Sequence, residues 1–163
     1  MTVDWFGKLD DIIQKNSSEQ IQFLQALVRA KSANSYTVEN SSAASGIEKE
    51  VAHLLRDRLS EIGLNPELVG ASPERPNVVA RIDGTGSDRR SLVLNGHMDT
   101  VMPGNLWTKD PFGAEIQGNK LYGLGVFDMK ASLAMFVYIA KAFLESGVRL
   151  AGDLILTFVV DEE

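Results

Sequence analysis

Cysteine is absent from the 163-residue chain, which removes disulfides, thiolate metal ligands and a cysteine nucleophile together. Histidine is scarce, with two in all, so an imidazole-rich zinc site would need residues from elsewhere. No stretch approaches the roughly 18 consecutive apolar residues that a membrane-spanning helix needs, so no membrane partner is expected. Positive charge is not in excess: the formal net charge is −6 and the isoelectric point lies near 5.0, which argues against nucleic acid as a partner. The opening residues, MTVDWFGKLDD, lack the basic start and apolar core of a secretory signal, so a cytoplasmic location is expected.

What is present fits one globular domain: hydrophobic residues make up 44% and charged residues 23%, close to average usage. Residues 4–14 place Trp5, Leu9, Ile12 and Ile13 on one helical stripe, and Ser17-x-x-Gln20 resembles a capping box that opens a second helix with Ile21, Leu24, Leu27 and Val28 inward. Residues 31–45 are polar and aperiodic and read as a surface loop. Ser45-x-x-Glu48 is a second capping box, leading a helix with Ile47, Val51, Leu54, Leu55, Leu59 and Ile62 at helical spacing and Gly63 as its stop. The pattern then changes. NPELVG, NVVARID and SLVLNG are short strand-like runs, and GAEIQGNKLYG reads as a hairpin about Gly118-Asn119. Residues 129–146 are apolar nearly all round, as in a helix buried on more than one side, and end at Gly147. DLILTFVV follows as a continuous apolar strand of the kind found inside a parallel sheet. Alternating helices and strands predict a three-layer α/β/α domain with a largely parallel central sheet.

Ligands of open α/β sheets bind outside the carboxyl ends of the strands, which directs attention to three places. SLVLN runs into His97 and Asp99, two apart and so on one side of an extended segment; a loop histidine and a turn-capping aspartate have the same spelling. Asp128 sits between GLGVF and the long apolar helix, where an N-cap is the competing role. LILTFVV runs into Asp161, Glu162 and Glu163, which could equally be a solvated strand end. Taken together, the three supply imidazole and carboxylate donors suited to Zn²⁺, Mn²⁺ or Co²⁺. His53 lies off the apolar stripe of its helix and reads as a surface residue.

The segments LVLNGHMDTV, WTKDPFGAEIQGNKLYGLGVFDMK and LILTFVVDEE, in this order and spacing, resemble the dinuclear-metal aminoacylase and carboxypeptidase G family, which includes acetylornithine deacetylase and succinyl-diaminopimelate desuccinylase. The wording YGLG at 122–125 looks most like the acetylornithine deacetylase branch. The resemblance implies a zinc-exopeptidase-like catalytic domain and two divalent metal ions, zinc or cobalt. His97 would ligate one metal, Asp128 would bridge the two, and Glu163 would ligate the second. Asp99 would hold the His97 ring or polarise the site, and Glu162 would be the general base that takes a proton from the shared water. A cis peptide at Asp128–Met129 is also implied. The implied reaction is hydrolysis of the amide of an N-acyl amino acid or small peptide, by a protein that is a homodimer when complete.

The chain departs from that family at Leu124, where many relatives have Arg, and at Ala131, where they have Gly. LVRAKSANS stands where a proline-containing turn is usual. A further acidic ligand, a late histidine ligand and an inserted lid or dimerisation domain are absent from the 163 residues. The expectation is therefore an N-terminal catalytic part, residues 1–163, with little turnover alone and an exposed apolar surface. The competing readings are a non-catalytic binding module that retains the fold, and a metallo-aminopeptidase or carboxypeptidase acting on small peptides.

Overall fold

A computed structural model of the chain describes residues 4–34, 47–86 and 90–163. Helix α1 spans Trp5–Arg29 without a break. Asp4 caps it, its Oδ1 accepting from the Gly7 amide at 3.0 Å. The boundary expected at Ser17 is not there. With no proline in it and no glycine beyond its first turn, the helix absorbs its polar middle by back-bonding. Ser17 Oγ donates to the Gln14 carbonyl at 2.8 Å, and Asn16 Nδ2 donates to Ile12 O at 3.0 Å and to Glu145 Oε2 at 3.2 Å. Phe23, Leu27 and Val28 face the core, whereas Ile21, expected inward, is 45% exposed.

Helix α2 spans Lys49–Glu61 and buries Val51, Ala52, Leu55 and Leu59. Gly63 beyond it has φ 95°, the left-handed conformation that terminates a helix readily. The capping serine expected at Ser45 lies outside the described residues. Glu48, at the cap position, makes no capping bond; its carboxylate is fully buried and is held by Arg75.

Four strands, β1 (Glu67–Val69), β2 (Asn77–Ile82), β3 (Leu92–His97) and β6 (Leu154–Val159), form one sheet in the order β1-β2-β6-β3. Strands β4 (Glu115–Gln117) and β5 (Lys120–Tyr122) pair separately as the expected hairpin, with Gly118 at φ 60° in the turn. β6 is interior, as its continuous apolar run predicts. It pairs parallel with β3 and antiparallel with β2, and β1 pairs antiparallel with β2. Among the described residues the sheet is thus mixed. Parallel neighbours need a crossover of a dozen or more residues. The short links from β1 to β2 and from β2 to β3 offer none, while the passage from β3 to β6 contains helix α3 (Ala131–Ser146).

All three helices contribute to one core on one face of this sheet. Val78, Ala80, Leu154, Leu156 and Phe158 meet Leu27, Leu55, Leu59, Leu133 and Val137. Complete burial of side chains such as Leu133 and Leu156 stabilises the fold by about 2 kcal/mol each. Tyr138 of α3 stacks at a tilt on Phe23 of α1, with ring centroids 6.3 Å apart. Gly147, at φ 71°, closes α3 where the sequence places its stop. The opposite sheet face carries Val93, half exposed, and Asn95, bonded to Thr157. The described residues therefore supply the sheet and the helical layer on one face of it. Among them, no helix is long and apolar enough to cross a membrane.

Candidate metal centre

The parallel pairing of β3 with β6 sets His97 beside Val159, so both strands deliver their following residues to one end of the sheet. The ladder runs one step further, through Met98 N to Val159 O at 2.8 Å. Beyond β3 come Asp99 and Thr100; beyond β6 come Asp161, Glu162 and Glu163. The turn Val126–Lys130 leads into α3 from the same side. At Asp128 (φ −124°, ψ 98°) and Met129 (φ −134°, ψ 30°) it leaves helical geometry. The Asp128–Met129 peptide is cis.

One ligand atom from each of His97, Asp128 and Glu163 lies within 4.8 Å of the others. His97 is 6% exposed, while Asp128 and Glu163 open to solvent. The imidazole Nδ1 is 3.1 Å from the backbone carbonyl of Asp99. A carbonyl only accepts, so Nδ1 carries the proton and Nε2 points its lone pair outward. Nε2 lies 3.1 Å from Asp128 Oδ1 and 3.9 Å from Glu162 Oε2. A lone pair facing carboxylates calls for a cation between them, either a proton or a metal ion. Burial disfavours protonation of His97, but the Asp128 hydrogen bond, the Asp99 carbonyl and the charges of Asp99 and Glu162 outweigh it and raise the imidazole pKa.

Asp99 is fully buried. Its Oδ2 accepts from the amides of Glu162 and Glu163, each at 3.0 Å, and from Asn34 Nδ2 at 3.1 Å. Its Oδ1 stands 3.4 Å from His97 Nδ1 and is the one buried side-chain oxygen among the described residues without a hydrogen bond. Asp99 thus touches the ring chiefly through its carbonyl and uses its carboxylate to hold the turn after β6. Glu162 projects from that turn with its side chain 62% exposed. The donor set, one tautomerically fixed imidazole and exposed carboxylates around a buried, under-satisfied one, fits hard or borderline divalent ions.

His53 lies on α2 beside Lys49, Glu50, Leu54 and Asp57, outside this cluster. Three residues that frame the site, Asn34, Arg75 and Lys130, carry no local signal in the sequence, and a fourth, Glu48, is spelled like half of a capping box yet pairs with Arg75 instead. Lys130 is 1% exposed, and its Nζ donates at 2.8 Å to both Leu27 O and Ala30 O at the end of α1. Each of these contacts spans many tens of residues, and a single polar residue in a loop has no periodicity to read.

An α/β sheet whose parallel strands end in a cation-seeking cluster of imidazole and carboxylates defines a class of metal-centred proteins. Residues 93–163, the segment that carries His97, Asp128 and Glu163, match peptidase family M20/M25/M40. The chain is 33% identical over 154 residues to the N-formyl-4-amino-5-aminomethyl-2-methylpyrimidine deformylase of Halalkalibacterium halodurans, covering 93% of this chain and 34% of the relative. It is 39% identical over 115 residues to the succinyl-diaminopimelate desuccinylase of Delftia acidovorans, covering 68% of this chain and 30% of the relative. The fold matches that of human carnosine dipeptidase 1 with a TM-score of 0.72 at 20% identity, over 97% of this chain and 35% of that one. The chain spans about a third of the length of these relatives.

Proposed function

We propose that the chain carries the metal-binding and proton-transferring part of an amidohydrolase that releases an acyl group from the nitrogen of a small amino acid or amine. The observation that supports this most is the convergence of His97, Asp128 and Glu163, with Glu162 beside them, at the carboxyl ends of β3 and β6. In this reading His97, Asp128 and Glu163 would hold divalent ions, two in number and zinc or cobalt in kind. When bound, such ions polarise the amide carbonyl and make water acidic at neutral pH. Glu162 receives the proton of the attacking water and passes it to the departing amine, work for which an exposed, mobile carboxylate beside the centre is suited. Asp99 fixes the His97 tautomer through its carbonyl and steadies the backbone of Glu162 and Glu163 through its carboxylate.

The substrate class follows from the relatives named above, a deformylase and a desuccinylase, both of which by name remove an acyl group. An acetylated amino acid of the ornithine type, favoured by the wording of residues 122–125, is the third acyl class to try. The 163 residues act as the N-terminal part of the catalytic domain of a cytoplasmic homodimer. They hold three ligands where the family reading needs five, so residues 1–163 alone are expected to bind metal weakly and turn over little.

The reaction is tested by incubating the gene's full product, loaded with Zn²⁺ or Co²⁺, with N-formyl, N-acetyl and N-succinyl amino acids and with free dipeptides. Release of amine from an acyl substrate, lost about 10²-fold or more in Glu162→Gln with metal content unchanged, is the expected result. Cleavage of dipeptides alone would move the assignment to a peptidase. No cleavage of any of them by metal-loaded protein would overturn it.

A further inference from the structure

Asp161 has φ 69°, in the left-handed region that non-glycine residues seldom enter; Ala114, at φ 50°, is the only other such residue among those described. Two groups from distant parts of the chain hold it there. Arg75 Nη2 donates to Asp161 Oδ1 at 3.0 Å, and Asn34 Nδ2 approaches the same oxygen at 3.2 Å. Asn34 Nδ2 also lies 3.1 Å from Asp99 Oδ2 and 3.3 Å from the Glu163 carbonyl.

Arg75 is anchored in turn. Its Nε donates to Glu48 Oε2 at 2.8 Å, and its Nη2 donates to Glu48 Oε1. Glu48 is 0% exposed. A carboxylate buried this completely is costly unless paired, and the bidentate guanidinium is its partner. The start of α2, the link between β1 and β2, the segment after α1 and the turn after β6 thus meet in one polar frame. The frame grips residues 161–163 from one side while Asp99 accepts the Glu162 and Glu163 amides from the other.

The charge of Arg75 is at first sight misplaced. A cation bonded to Asp161, two residues from Glu163, repels a divalent ion at the centre, so on Coulomb grounds alone the site would be better without it. We propose that Arg75, acting through Asp161, is a positioning residue of the metal centre: it holds residues 161–163 in the turn that aims Glu163 at His97 and Asp128. This rests on the reading of His97, Asp128 and Glu163 as that centre. The geometric gain outweighs the repulsion because Glu163 belongs to a segment that no helix or strand constrains. Without the frame, its carboxylate samples many directions, and ligation must order it afresh.

Signs separate the two effects. Co²⁺ titration of the gene's full product, followed by its visible absorption, gives both affinity and coordination. Arg75→Met is expected to weaken Co²⁺ binding about tenfold or more and to alter the band intensities, although it removes a positive charge. Because that variant leaves Glu48 buried and unpaired, the double variant Glu48→Gln/Arg75→Met is measured beside it, with circular dichroism reporting the fold, and the same weakening is expected. Asp161→Asn keeps an acceptor and tolerates positive φ, so it should bind within a few-fold of wild type. Asp161→Gly keeps only the conformational freedom and should bind about tenfold more weakly. Unchanged or tighter binding in the folded double variant overturns the positioning role. Wild-type chain that takes up no Co²⁺ overturns the centre, and the proposal with it. Wild-type binding that His97→Ala leaves intact does the same, by showing that the ion sits elsewhere.

Discussion

His97 Nε2 and Asp128 Oδ1 face each other at 3.1 Å, one nearly buried on a strand end and the other largely exposed at the foot of a helix. Their pairing separates metal affinity from stability. The Asp128 side chain is 74% exposed, and exposed ion pairs contribute about 0–1 kcal/mol. Asp128→Ala should therefore leave the urea unfolding midpoint in metal-free buffer almost unchanged, while divalent-ion binding falls by an order of magnitude or more, about the loss expected when a ligand or its close partner is removed. Isothermal titration with Zn²⁺ beside the unfolding curve decides the matter. Undiminished binding would remove Asp128 from the centre.

Lys130 makes the opposite prediction, of stability first. Its buried ammonium satisfies the carbonyls of Leu27 and Ala30, at the negative end of the α1 dipole. Lys130→Met fills similar space but leaves both carbonyls without that donor, and a loss of about 2–3 kcal/mol is expected. Burial also pushes the Lys130 pKa down to about 8, below the roughly 10.4 of an exposed lysine. The unfolded chain therefore holds the proton more tightly than the native one between these values. By linkage, burial costs stability at pH below about 8, and that cost is relieved as pH rises toward about 10.4. Urea unfolding at pH 7, 8.5 and 10 should show wild type gaining on Lys130→Met across this window. A constant difference would show that the ammonium is better solvated than its burial implies.

Much of this architecture is legible in local pattern. The apolar run 154–159 reads as an interior strand because both its faces lack charge; the Gly118-Asn119 turn and Gly147 mark their elements by backbone conformation alone. His97, Asp128 and Glu163 each follow or precede such an element, and α/β topology brings those ends together. Three features escape this kind of reading. Ser17 is spelled like a cap, yet its hydroxyl is satisfied inside α1, and whether a helix breaks there depends on what its two halves pack against. The direction of β2 follows from short links whose lengths matter more than their composition. The frame of Glu48, Arg75, Asn34 and Asp161 joins four loops or element ends, with Arg75 and Asp161 separated by 86 residues, and no periodicity connects them.

Gly125 offers a test of how tightly the Asp128 turn is built. It has φ 73°, and its carbonyl accepts from the Lys130 amide at 2.8 Å, closing the turn that presents Asp128. A Cβ added there would run into Thr100 Cγ2 and would lie 3.4 Å from the Asp128 carbonyl. Thr100 cannot retreat: it is 1% exposed, and its amide donates to Ser32 O at 3.0 Å. Gly125→Ala thus combines a left-handed alanine, costing roughly 1–2 kcal/mol, with an overpacked contact of roughly 1–3 kcal/mol. The two parts can be separated, because Thr100→Ser removes the opposing methyl and keeps the hydroxyl. In a double-mutant cycle of urea unfolding, Thr100→Ser should recover the steric part of the Gly125→Ala loss and leave the conformational part in place, a coupling of about 1 kcal/mol or more. Additive effects would mean that the turn relaxes away from Thr100. In that case Co²⁺ affinity should fall in Gly125→Ala, because a relaxed turn carries Asp128 with it.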